Sequence, residues 1–152
     1  MIKVMFVCYG NICRSPMAEF LMKDYVQRTG KAEHFYIASS ATSYEEIGNP
    51  VHRGTRAVLD RFNIDYSQKR AQKLTAEHYD KFDYFIGMDE DNLREMKRIF
   101  GGDPKNKVSL LLDYTSLKRD VADPWYTRNF EQTYSDVKCG IEGLYKFLIN
   151  ND

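Results

Sequence analysis

Residues 2–16, IKVMFVCYGNICRSP, constrain the fold of this chain more than any other stretch. The run Ile2–Val7 is apolar almost throughout, which suits a strand buried on both faces of a parallel sheet. It ends in Cys8. A short loop containing Gly10 and Asn11 then leads to Arg14, Ser15 and Pro16, residue types that open helices. A buried strand that turns directly into a helix is the opening unit of an alternating α/β chain.

The remaining pattern continues the alternation. Ser15 reads as the N-cap of the first helix and Pro16 as part of its first turn, with Met17, Phe20, Leu21 and Tyr25 apolar and Gly30 just past the end. A short strand is expected around Phe35–Ser40. Pro50 precedes a second helix with Val51, Thr55, Val58, Leu59 and Phe62 on one face. Phe82–Met88 reads as a third strand, followed by a helix that Asp89 caps and Gly101–Gly102 stop. Val108–Leu112 is the fourth strand. In the last helix Phe130, Tyr134, Val137, Ile141, Leu144 and Leu148 follow spacings of 4, 3, 4, 3 and 4. The expectation is one three-layer α/β domain over residues 1–152, a four-stranded parallel sheet with helices on both faces, Rossmann-like. Ligands of such sheets bind beyond the carboxyl ends of the strands, where Cys8 sits.

Composition narrows the function classes. A chain of 152 residues buries roughly 68–70% of its unfolded surface, enough for one core. The 22 basic and 22 acidic residues balance, so nothing global recommends a nucleic acid or an anionic membrane as partner. No apolar run approaches the ~20 residues of a membrane span. The N-terminus reads as a strand and not as a secretory signal. Three cysteines without a CxxC pair support neither a disulfide scaffold nor structural zinc, and a cytoplasmic location is expected. His34, His52 and His78 do not fall at metal-ligand spacing, so neither a metal nor a cofactor is expected.

The spacing of Cys8 and Arg14 is weak by itself. With ten arginines in 152 residues, a C-x5-R arises by chance on the order of one time in five. Its context supplies the specificity. A thiol is a nucleophile only as thiolate, and a helix N-terminus and a neighbouring guanidinium both favour that anion. Gly10 and Asn11 tolerate left-handed backbone, which lets consecutive N–H groups turn inward as an anion nest. The Arg14 fork matches two phosphate oxygens. Ser15 can donate a hydrogen bond to the sulfur. Together these residues imply phosphate-ester cleavage through a cysteinyl-phosphate.

VCYGNICRSP resembles the signature loop of the low-molecular-weight protein tyrosine phosphatases, V-C-x-G-N-x-C-R-S-P. The likeness extends in order to SATS (Ser40–Ser43), GNP (Gly48–Pro50), FDYFIGMDEDNL (Phe82–Leu93) and ADPWY (Ala122–Tyr126). The resemblance implies that Cys8 is the nucleophile, that Arg14 binds phosphate, and that Asp123 of the Asp-Pro dipeptide is the general acid and later the base. Tyr9, Gly10, Asn11, Ile12, Cys13 and Ser15 would surround the phosphate. Trp125 and Tyr126 would form one wall of a phenyl slot, with Tyr44 or the neighbouring Glu45 opposite. Cys13 would protect Cys8 through a reversible disulfide. Many family members carry a supporting His in the segment corresponding to Ser67–Thr75. This chain has none there, so the network is either replaced by Gln68 or Lys69 or absent.

The implied partners are phosphotyrosine proteins or peptides and competing phosphate- or vanadate-type oxyanions, with the chain acting as a monomer or weak dimer. Three other activities suit the same scaffold. A protein-arginine phosphatase would characteristically carry Thr where this chain has Ile12. A thiol-coupled arsenate reductase needs resolving cysteines after the third strand, and Gly87–Lys107 holds none. A non-catalytic phosphate-binding module would not need both Cys8 and Asp123.

Overall fold

The computed structural model describes residues 1–151. Strand β1 (Ile2–Cys8) lies inside a four-stranded sheet of order β2-β1-β3-β4, with β2 at Phe35–Ala41, β3 at Tyr84–Gly87 and β4 at Val108–Leu110. All three pairings are parallel. The alternation of strand and helix therefore yields the expected α/β sheet, and β1 is covered on both sides. Its side chains divide by parity, as a pleated strand requires. Val4, Phe6 and Cys8 face one core cluster, whereas Met5 and Val7 face the other.

The first cluster lies under α1 (Arg14–Arg28), α2 (Arg53–Asp60) and α5 (Phe130–Asn150). The α5 stripe behaves as its spacing predicts: Val137, Ile141, Leu144 and Leu148 are buried. The second cluster lies under α3 (Glu90–Phe100), with Met96 packed beside Phe85 and Val108. Burying an aliphatic or aromatic side chain of this size contributes roughly 1.5–3 kcal/mol relative to leaving it exposed.

Several boundaries differ from the sequence expectation, each for a local reason. The N-cap of α1 is Cys13, and Ser15 is already inside the helix, its hydroxyl engaged with other side chains. Helix α2 begins at Arg53, where the His52 ring Nδ1 accepts the Gly54 N–H at 3.0 Å. Phe62 lies beyond its end and is partly exposed. Strand β4 stops at Leu110 because Leu111–Tyr114 turn into a 3-10 segment, with Asp113 accepting the Leu110 N–H. Leu111 and Leu112 stay buried all the same. A Cβ at Gly140 or Gly143 of α5 would collide with Leu111 or the Tyr114 carbonyl, so these glycines let that segment lie directly on the helix. A one-turn helix α4 (Pro124–Thr127) follows. No helix among the described residues is long and apolar enough to cross a membrane.

Candidate active site

The carboxyl ends of the strands meet around one small cavity of about 100 Å³, with Cys8, Arg14 and Asp123 among its lining residues. Cys8 closes β1, and residues 9–13 carry the chain around the sulfur into α1. Asn11 is the single residue of this loop in left-handed backbone, at φ 60°. Gly10 was expected to share that conformation and does not. Its lack of a side chain serves packing instead, since a Cβ there would lie 3.3 Å from Cγ of Glu46. The turn at Asn11 directs its N–H to the Cys8 sulfur at 3.3 Å. The Ser15 hydroxyl approaches the same sulfur from the helix at 3.0 Å.

Asn11 and Ser15 do not line the cavity but lie behind the sulfur, almost wholly buried. Asn11 Nδ2 donates to Ser15 Oγ at 2.7 Å and to Ser39 Oγ at 2.9 Å, while Asn11 Oδ1 accepts the Gln72 N–H. All the hydrogen-bonding capacity of the carboxamide nitrogen is thus spent on holding the loop. Ser39, on β2, donates onward to Glu19 of α1.

Lys69 closes this network. Its ammonium donates to the Ser39 carbonyl at 2.9 Å and pairs with Glu19 at 3.3 Å, and both side chains are nine-tenths buried. Burial pushes the Lys69 ammonium below the usual lysine range, with Glu19 acting in the opposite direction. Gln72 adds a second donor to the Ser39 carbonyl. Of the two replacements expected for the missing His, Lys69 is the one engaged, and it acts together with Gln72.

Arg14, 2% exposed, is aimed by two acceptors and a nearby carboxylate. Its Nη1 donates to Asp89 at 2.7 Å and to the Val121 carbonyl at 2.8 Å, while Nη2 lies 3.5 Å from Asp123. Burial disfavours the guanidinium, but Cys8, Asp89 and Asp123 outweigh it and hold Arg14 above the ordinary arginine value. Asp89 therefore does two things at once, since its other oxygen caps α3 through the Asn92 N–H. The sequence suggested the cap, and the resemblance also places an acidic residue here near the active loop; the clamp on Arg14 itself depends on β3 ending next to β1. The Val121 carbonyl is backbone and leaves no signal in residue type. Glu19, Ser39 and Gln72 gave none either, because each is an ordinary polar residue until the sheet brings them together.

Asp123 is the N-cap of α4 and accepts the Trp125 N–H at 3.0 Å, leaving its other oxygen toward Arg14. Trp125 and Tyr126 line the cavity and are largely exposed. Tyr44 does not stand opposite them. It is 78% exposed and outside the lining, under the Lys73 ammonium, while Glu45 and Glu46 occupy the rim. Glu45 is fixed there by the Tyr9 hydroxyl at 2.7 Å. Ile12 and Cys13 complete the floor. Burial first, and then the charge of Cys8, pushes the Cys13 thiol far above the ordinary cysteine range.

A free thiol held by two donors, an aimed guanidinium and a facing carboxylate define a cysteine-dependent phosphoryl site at the strand ends of an α/β sheet. Comparison with known proteins places it more closely. Residues 3–152 match the model of the family described as low molecular weight phosphotyrosine protein phosphatase. The chain is 39% identical over 146 residues to the low molecular weight protein-tyrosine-phosphatase YfkJ of Bacillus subtilis strain 168, covering 95% of this chain and 94% of that one. The crystal structure of YfkJ superposes with a TM-score of 0.95 at 37% identity, over 100% of this chain and 97% of the other. The low molecular weight protein tyrosine phosphatase SP-PTP of Streptococcus pyogenes gives 0.87 at 42% identity, over 97% and 93%. This chain belongs to the low molecular weight phosphotyrosine protein phosphatase family.

Proposed function

We propose that this protein hydrolyses phosphotyrosine monoesters, in proteins and in small aryl phosphates, through a phosphocysteine on Cys8. The observation that carries the reading is the convergence on one 100 Å³ cavity of the Cys8 sulfur, the Arg14 guanidinium and the Asp123 carboxyl.

The Cys8 thiolate attacks phosphorus as the bond from phosphorus to the phenolic oxygen breaks. Asp123, protonated, gives its proton to the departing oxygen, so tyrosine leaves neutral. Arg14 holds the phosphoryl oxygens and neutralises their charge, the main task of any phosphoryl-transfer site. In the second half water attacks phosphorus, the Asp123 carboxylate takes its proton, and the sulfur–phosphorus bond breaks. Inorganic phosphate leaves, and the Ser15 hydroxyl and Asn11 N–H receive the returning thiolate.

Trp125 and Tyr126 suit the flat phenyl ring. Ile12 offers the cavity no hydroxyl for a phosphoguanidinium, which supports phosphotyrosine over phosphoarginine. Phosphate and vanadate are competing ligands in this reading. Every group named belongs to one chain, in keeping with a monomer or weak dimer, and a reducing cytoplasm would keep Cys8 free.

The test is Cys8→Ser. Turnover of p-nitrophenyl phosphate falls by at least about 10⁴-fold, while phosphate or vanadate still binds. A variant that hydrolyses the ester at the wild-type rate overturns the mechanism.

A further inference from the structure

Adjoining the catalytic cavity lies a second groove of about 490 Å³ lined by His52, Arg53, Gly54, Pro124, Arg128 and Phe130, with Trp125 common to both sites. Its floor is rigid. The His52 ring stacks on Phe130 at 5.3 Å and meets Trp125 edge-on at 5.8 Å, and the Phe130 ring occupies the space a Cβ at Gly54 would need. No carboxylate among the described residues lines it.

Its charge is unusual for this chain. Among the described residues Arg14, Arg28, Arg61, Arg94, Arg98 and Arg119 each pair with a carboxylate, and Arg70 is bound to backbone carbonyls. The remaining three arginines, Arg53, Arg56 and Arg128, have no side-chain partner among the described residues, and all three surround His52. Burial and then the charges of these arginines press the His52 imidazole below the usual histidine range, against a weaker opposite pull from Glu46. Glu46 is itself held by the Asn49 carboxamide at 2.6 Å. Two arginines without a carboxylate partner among the described residues, Arg53 and Arg128, thus line a groove that shares Trp125 with the catalytic cavity.

We propose that this groove binds an acidic side chain, Asp or Glu, of the peptide whose phosphotyrosine occupies the Cys8 cavity, with Arg53 and Arg128 as its counterions. The proposal rests on the phosphatase reading and adds a substrate class to it. Trp125 lines both sites, so one peptide can present phosphotyrosine to the Cys8 cavity and a carboxylate to the adjoining groove.

The experiment compares three phosphotyrosine peptides on the intact protein: one with Glu residues before the phosphotyrosine, one with Glu residues after it, and one with Gln at all those positions. One acidic peptide exceeds the Gln peptide in kcat/KM by about fivefold, mainly through KM, the size expected of two exposed charge contacts. The ratio falls toward one in 1 M NaCl, where the screening length is about 3 Å. It also falls toward one, or inverts, in R53E/R128E. The double variant's fold is checked by circular dichroism, and the salt series on the wild-type protein stands without it. Equal kcat/KM for the three peptides, or a preference that survives both salt and the double variant, overturns the proposal. Wild-type hydrolysis of p-nitrophenyl phosphate is measured alongside. Its absence refutes the phosphatase reading, whereas its presence with no peptide preference refutes the acidic subsite alone.

Discussion

The Asn11 carboxamide donates to the Ser15 hydroxyl at 2.7 Å, and this contact sets the polarity of everything around Cys8. The Gln72 N–H occupies Asn11 Oδ1, so the amide nitrogen must face Ser15 and Ser39. Ser15 Oγ then accepts from Asn11, and its own proton is free for the Cys8 sulfur 3.0 Å away. Ser39 accepts in the same way and passes its proton to Glu19. One carboxamide thus directs one hydroxyl proton toward the nucleophile and another away from it.

The Ser15 hydroxyl stabilises the sulfur most when it carries full negative charge, at the end of phosphocysteine hydrolysis. Ser15→Ala therefore lowers kcat by roughly 10- to 100-fold, the size of one hydrogen bond to a charged group, with KM little changed. Breakdown of the intermediate becomes slow, and acid quenching traps more phosphoenzyme than in the wild type. An unchanged kcat would exclude this role.

Asp123 faces Arg14 at 3.5 Å and the cavity beyond it. Asp123→Ala slows hydrolysis of esters with poor leaving groups by about 10²–10⁴-fold, and those with good leaving groups far less. A series of substituted phenyl phosphates reads this as a steeper dependence of rate on phenol pKa. Equal losses across the series would remove Asp123 from the acid role.

Lys69 is the main buried cation on Glu19, since Lys23 reaches it from a largely exposed position. Lys69→Met leaves a buried carboxylate poorly compensated and destabilises the fold by about 3 kcal/mol. Glu19→Gln in the same chain removes that charge and recovers a large part of the loss. Urea midpoints of the two single variants and the double variant form the cycle that measures it. Additive losses would show that the pair is not coupled.

Cys13 favours its protonated form in the fold, because burial and the neighbouring Cys8 charge oppose its thiolate. A folded pKa raised above the unfolded value means that the native state holds the extra proton once pH passes about 8.5. Stability then falls as pH rises further, by at most about 1.4 kcal/mol per pH unit. Cys13→Ala lacks this component, so its urea midpoint declines less between pH 8 and pH 10 than that of the wild type. Parallel declines would contradict the shift.

Local pattern alone was enough for the sheet and its helices. Ile2–Val7 is apolar on both faces, α5 keeps its 4-3 stripe, and Asp89 and Gly101 delimit α3. It also indicated Cys8 and Arg14, because a strand end and a helix start are local signals, whereas Asp123 stands out only through the resemblance of ADPWY to the family. Contacts between distant segments were not legible. Tyr44 and Glu45 are neighbours in sequence, and only the path of the chain after β2 decides which one reaches the rim. Ser15 reads in the sequence as both cap and donor to the sulfur, but only the fold shows that Cys13 is the cap and that Asn11 fixes which way the Ser15 proton points. Lys69 and Glu19, fifty residues apart, become a pair because β2 and α1 pack together over Ser39. Sequence by itself determined which chemistry this protein carries, since hydrophobic period and residue type act over a few residues. Tertiary structure alone decided how that chemistry is aimed, since hydrogen bonds and buried charges depend on distances that only the folded sheet sets.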